Sequence, residues 1–143
     1  MTGIDTTWLV DLEVKESPRH AGARRLFESW RSEGNSLLCV YHHVFLEFLQ
    51  VVTDPARFET PLSVDRAVQR VWFWAGQERI RVLYPADTSL KRCLLWLTAF
   101  SLGKKRLVDT QMAAVYAEEG VTTLWTANPE DFALFGVFKL PGY

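Results

Sequence analysis

The chain has few of the residues that staple, anchor or polarise a protein. Only two cysteines, Cys39 and Cys93, occur in 143 residues, and each sits in an apolar segment with no CxxC spacing or histidine cluster beside it. This argues against a disulfide framework or a thiolate metal site and for buried free thiols in a reducing cytoplasm. Long hydrophobic runs are also missing. The longest stretch free of Asp, Glu, Lys and Arg, Gly34 to Leu46, is thirteen residues and includes Asn35, His42 and His43, too short and too polar to cross a bilayer. Met1-Thr2-Gly3-Ile4-Asp5 offers neither a basic nor an apolar leader region, so no secretory signal is expected. No charge of one sign dominates: 17 acids face 16 Lys and Arg, for a net charge of −1. That excludes a disordered acidic tail, a histone-like basic body and broad coating of a polyanion.

What is present is enough to build one core. With 48% hydrophobic residues, including six Trp, nine Phe and four Tyr, residues 1–143 read as a single domain with no linker, repeat or low-complexity run. Apolar strand-like and helix-like segments alternate. Gly3–Asp5 reads as the end of a strand, followed by a short helix carrying Trp8, Leu9, Leu12 and Val14. Ser17-Pro18 reads as the cap and first residue of a helix that runs through Ala21, Leu26, Phe27 and Trp30 to Gly34. Ser36–Tyr41 is of strand length, and helices are expected from about His43 to Val52 and from Ser63 through Trp72. Arg79–Tyr84 alternates as a half-buried strand does. Two further helices, Asp87–Leu102 and Val108–Glu119, precede a strand at Val121–Thr126, a turn at Asn128-Pro129 and a final edge strand at Val137–Leu140. Strands alternating with helices predict an α/β fold, a parallel sheet covered on both faces, whose ligands bind beyond the carboxyl ends of the strands.

The residues expected just beyond those ends are acidic or amide: Asp5 after the first strand, Glu47 in the helix after the second, Asp109 near the start of the last long helix, and Asn128 and Asp131 after the last strong strand. Their neighbours are apolar, as in Val44-Phe45-Leu46-Glu47-Phe48-Leu49, where a carboxylate is costly unless paired or coordinated. Two carboxylates about 4 Å apart repel by roughly 4 kcal/mol at an effective dielectric near 20, and a divalent cation cancels that repulsion. Mg²⁺ or Mn²⁺ suits hard oxygen ligands and can activate water against a phosphodiester. Each acid also has an ordinary reading: Asp5 as a helix cap, Glu47 as half of a surface ion pair, Asp109 as a first-turn acid favoured by the helix dipole, Asp131 as part of a polar turn.

The same residues carry a resemblance. Ile4-Asp5-Thr6-Thr7-Trp8-Leu9-Val10 is similar to the opening motif of PIN-domain ribonucleases, and His20 with Ala23 to their H-x-x-A element. Glu47 matches the family's helical glutamate, and Leu107-Val108-Asp109-Thr110-Gln111-Met112-Ala113-Ala114 its D-x-x-x-A-A helix start. Thr123-Leu124-Trp125-Thr126-Ala127-Asn128-Pro129-Glu130-Asp131-Phe132 resembles the closing T-x-[DN]-x-x-D-F signature. The match runs from residue 3 to about 140, and the lack of appended domains resembles the VapC toxin branch. The resemblance implies a PIN-like three-layer α/β/α fold on a parallel sheet of four to five strands. It further implies an Mg²⁺-dependent (or Mn²⁺-dependent) endoribonuclease whose ion is bound by Asp5 and Asp109. In that reading Glu47 and Asp131 complete the catalytic set, and Thr7, Thr126 and Asn128 line it. Asn128 stands where many members carry Asp, so either a second metal is lost or Asp131 supplies the missing charge.

Lys104-Lys105-Arg106 is the only run of three like charges. It reads either as a helix C-terminal charge cluster or as contacts to the RNA backbone at the mouth of the site. The resemblance also implies an RNA substrate (tRNA, rRNA or mRNA), a VapB-like antitoxin partner and a homodimer. Trp72 and Trp74 cannot share one face of a helix, so at least one is expected at an interface. A ribonuclease H-like nuclease is disfavoured because a helix directly follows the first strand, and a haloacid-dehalogenase-type phosphatase because Asp5-Thr6-Thr7 is not D-x-D. The alternative kept open is a catalytically inactive PIN-like module that binds RNA or protein.

Overall fold

The computed structural model describes all 143 residues. Four short strands, β1 (Thr2–Ile4), β2 (Leu38–Tyr41), β3 (Ile80–Leu83) and β4 (Thr123–Trp125), form one sheet in the order β3-β2-β1-β4. All neighbours are parallel, with Ile4 opposite Val40 on one side and Trp125 on the other. Parallel strands cannot be joined by tight turns, so every connection crosses over through helices. Helices α1 (Thr6–Glu13) and α2 (His20–Ser32) link β1 to β2, and α3 (His42–Val52) and α4 (Val64–Ala75) link β2 to β3. Helices α5 (Asp87–Ala99) and α6 (Leu107–Glu118), joined by a 3-10 turn at Lys104–Arg106, return the chain past β2 and β1 to β4. The chain thus steps outward from β1 to β3, then reverses to β4. That reversal puts α1–α4 and α5–α6 in separate packed groups, giving the expected α/β/α layers, and leaves a crevice at the carboxyl ends of β1 and β4.

The aromatic residues are mostly spent on the core. Trp8 packs on Trp125 at 4.8 Å between ring centres and on Phe27 and Trp74 at 6.4 Å each, while Trp96 stacks on Phe135 at 4.6 Å. Cys39 and Cys93 are free and buried. Tyr116 is wholly buried beneath β1 and β2: its hydroxyl donates to the Ile4 carbonyl at 2.6 Å and accepts from the Tyr41 amide at 3.0 Å. The phenol thus satisfies two buried backbone groups at the carboxyl ends of β1 and β2. A Cβ at Gly3 would stand 2.9 Å from the Tyr116 ring, which is why glycine occupies the middle of β1.

Several expected boundaries shift for local reasons. Ser17-Pro18 does not open α2, which begins at His20; Ser17 instead closes a turn ahead of it, its hydroxyl donating to Asp11 and accepting from the Arg19 amide at 3.3 Å. Helix α5 stops at Ala99, since Ser101 adopts the left-handed conformation at φ 51° before Gly103 is reached. The expected turn at Asn128-Pro129 continues as a short helix, α7 (Pro129–Ala133), with proline at its first position. The expected edge strand at Val137–Leu140 is reduced to one parallel bridge, Thr123 to Lys139, so the sheet keeps four strands.

Candidate active site

Asp5 is the first residue beyond β1. It stands at the start of α1 in an extended conformation but makes no capping bond to the helix. Its Oδ2 instead accepts from the Thr7 hydroxyl at 2.9 Å and the Thr126 hydroxyl at 2.8 Å. Those hydroxyls accept in turn from the backbone amides of Ala127 and Asn128, both at 3.0 Å. Two threonines from the two strand ends therefore fix the carboxylate's rotamer and tie the loop after β4 to it. Only 7% of Asp5 is exposed. Burial is the main cause that pushes its carboxyl above the ordinary range, with the charge of Glu47 adding to it and the threonine bonds opposing.

Glu47 projects from the second turn of α3. Thr6 donates to its Oε2 at 2.7 Å, and His43, one turn earlier, lies 3.9 Å from its Oε1. Asp109 comes from the first turn of α6 and Asp131 from α7. Together with Asp5 and Asn128 they line a single cleft of about 270 Å³. Asp109 registers the crowding: its carboxyl is pushed up to about 6, first by burial, then by Asp5, with Arg106 opposing and Asp131 and Glu47 adding repulsion.

Arg106, read from the sequence with Lys104 and Lys105 as a helix C-terminal cluster or as an RNA-backbone contact at the mouth of the site, turns to the site's own acids. The 3-10 turn rolls its side chain inward, where it binds the side chain and backbone carbonyl of Asp131 and lies 3.8 Å from Asp109. The like-charged run is thus split: Arg106 is committed to the site's own acids, while Lys104 and Lys105 are exposed, and none of the three forms the cleft wall itself. The run lies ahead of α6, not at the C-terminus of a helix. Thr126 is buried behind Asp5, which it supports through its hydroxyl, and does not reach the cleft wall. Thr7 and Asn128 do line it. Gln50 and Arg57 line it too, unforeseen from the sequence. Gln50 lies one helical turn after Glu47, a signal that was available; Arg57 sits in a loop, where no periodicity points to it.

A PIN-like fold, with acids gathered where the sheet order reverses, is the class that this architecture and cleft define. No protein-family model matches the chain, and no curated protein matches it. Solved structures do. The chain is similar to the VapC20 toxin of Mycobacterium tuberculosis, described as cleaving the sarcin–ricin loop, with a TM-score of 0.72 and 19% identity over 94% of this chain and 95% of that one. It is also similar to VapBC-1 from nontypeable Haemophilus influenzae (TM-score 0.66, 15% identity, 99% and 96% covered). A toxin–antitoxin complex from Klebsiella pneumoniae matches at a TM-score of 0.64 and 16% identity, with 93% and 91% covered. The fold is that of the VapC toxins.

Proposed function

We propose that this protein is a divalent-metal-dependent endoribonuclease and the toxin of a toxin–antitoxin pair. The observation that carries the reading is the meeting of Asp5, Glu47, Asp109 and Asp131, from four separate elements, in one cleft of a fold shared with a toxin that cleaves the sarcin–ricin loop. Their mutual repulsion, expressed in the raised Asp109 carboxyl, is the property a bound cation relieves.

The donor set fits Mg²⁺ or Mn²⁺. No three of the chain's His, Cys, Asp or Glu side chains surround a single point, but the cleft's acids and the Asn128 amide oxygen make a set of hard oxygen donors. That suits a hydrated ion held by one or two carboxylates, Asp5 and Asp109, with the remaining positions left to water and substrate oxygens. When bound, such an ion activates water and stabilises charge developing on the phosphodiester. The chain's own residues do the rest. Thr7 and Thr126 hold Asp5 in place, Thr6 orients Glu47 as a proton acceptor for water, and Arg106 anchors Asp131. Asn128 on the cleft wall adds an oxygen without charge.

The partners in this reading are an RNA (tRNA, rRNA or mRNA), a VapB-like antitoxin, in line with the toxin–antitoxin complex that the fold matches, and a second copy of the chain. No helix is long and apolar enough to cross a membrane, and we place the protein in the cytoplasm, where Cys39 and Cys93 stay reduced. The test is direct. The purified chain, freed of partners, is incubated with structured RNAs and Mg²⁺ or Mn²⁺. Internal cleavage abolished by chelator and by Asp5→Ala or Asp109→Ala is expected; cleavage surviving either change refutes the mechanism.

A further inference from the structure

Beside the acidic cleft lies a notch of about 190 Å³ that shares Thr6, Thr7, Arg57 and Asn128 with it. The two are parts of one groove, and the charge changes along it. The notch adds Arg19, from the segment entering α2, to Arg57, from the loop after α3. Other arginines of the molecule are already engaged: Arg70 by Glu13, Arg79 by the carbonyls at the end of α2, Arg106 by Asp131. These two are not. Arg19 is exposed and in no ion pair, and Arg57, 62% exposed, has only Asp54 near it, at 3.7 Å. The one acid on the notch wall, Asp11, is buried, and its oxygens accept hydrogen bonds from Ser17 and Tyr143.

We propose that this notch is a phosphate subsite. Arg19 and Arg57 bind the backbone phosphodiester next to the scissile one, so that the RNA strand runs from the acidic cleft into the basic notch. The inference rests on the ribonuclease reading and deepens it. An acidic cleft repels a polyanion wherever the cation does not reach, so the strand needs an adjoining cationic contact, and guanidinium forks suit phosphate oxygens. A groove that tracks a single strand by its backbone selects for unpaired RNA without reading its bases.

The test measures binding of a labelled single-stranded RNA to the full chain carrying Asp109→Asn, which stops turnover, across a range of KCl. In that background Arg19→Gln and Arg57→Gln should each weaken binding about fivefold at low salt, and each should reduce the slope of log affinity against log salt by about 0.7. Arg19→Lys and Arg57→Lys should keep the slope, which a purely structural role would not predict. In the chain with Asp109 intact, the Gln variants should raise KM more than they lower kcat. Unchanged affinity and slope in both Gln variants would overturn the subsite while leaving the ribonuclease reading standing. A chain that neither binds nor cleaves RNA before the arginines are touched would overturn both.

Discussion

The raised Asp109 carboxyl makes the site a source of instability that a cation removes, and its size can be worked out. A rise from 3.8 to about 6 corresponds to about 3 kcal/mol for a fully buried group. Asp109 is 36% exposed, so solvent screening reduces the cost of holding it ionised to roughly 1–2 kcal/mol. The sign follows from linkage. A carboxyl whose pKa is higher in the folded than in the unfolded state binds its proton more tightly when folded. Its contribution is therefore most favourable below about pH 4 and is lost as the pH rises through about 6. Asp109→Asn removes the charge, so in chelator at about pH 7.5 the variant should be more stable than the parent by roughly 1–2 kcal/mol, or about 3–8 °C in Tm for a chain of this size. The advantage should vanish near pH 4. Added Mg²⁺ should reverse the order, because only the parent keeps its full ligand set and gains from binding. The assay is thermal unfolding at several pH values with and without Mg²⁺. A variant less stable than the parent in chelator at neutral pH, or a difference that ignores pH, would refute the reasoning.

Two other expectations concern the scaffold. Tyr116→Phe strands the Ile4 carbonyl and the Tyr41 amide beneath the site, and should cost about 1–3 kcal/mol in urea unfolding; a neutral result would show that water replaces the hydroxyl. Trp74, buried against Trp8 and donating to Glu13 at 2.7 Å, should cost about 3–5 kcal/mol when changed to Ala. Trp72, 74% exposed two residues away, should leave stability within about 0.5 kcal/mol when changed to Ser, and any effect should appear in self-association or partner binding.

The fold was legible because each element obeys a local rule that the core reinforces. Ser63 caps α4, accepting from the Arg66 amide, and β1 and β2, the two central strands, are short buried runs in a sheet covered on both faces. The acids were legible for a topological reason: residues that follow parallel strands gather at one end of the sheet whatever their spacing in sequence. Arg106 was not. A 3-10 turn advances three residues per turn, so three consecutive side chains fan out to different sides, and a run of like charges in sequence becomes one inward cation and two outward ones in space. Arg19 and Arg57 escaped for another reason. They sit in loops that no hydrophobic period fixes, and only the folded chain shows that both border Asn128 and Thr7.

The near-balance of 17 acids and 16 bases is therefore an average over regions of opposite sign. Four acids are held in the cleft by groups that cannot neutralise them fully: three threonine hydroxyls and one guanidinium. Hydroxyls orient a carboxylate without discharging it, so the repulsion survives in the raised Asp109 and Asp5 carboxyls and is available to a cation. The choice of neutral donors beside Asp5, and of a single arginine directed at Asp131, keeps the charge concentrated on Asp5 and Asp109. Local polarity at the site is thus kept unsatisfied by the scaffold, and the hydrophobic layers of Trp8, Trp74 and Trp125 behind it supply the stability that this costs.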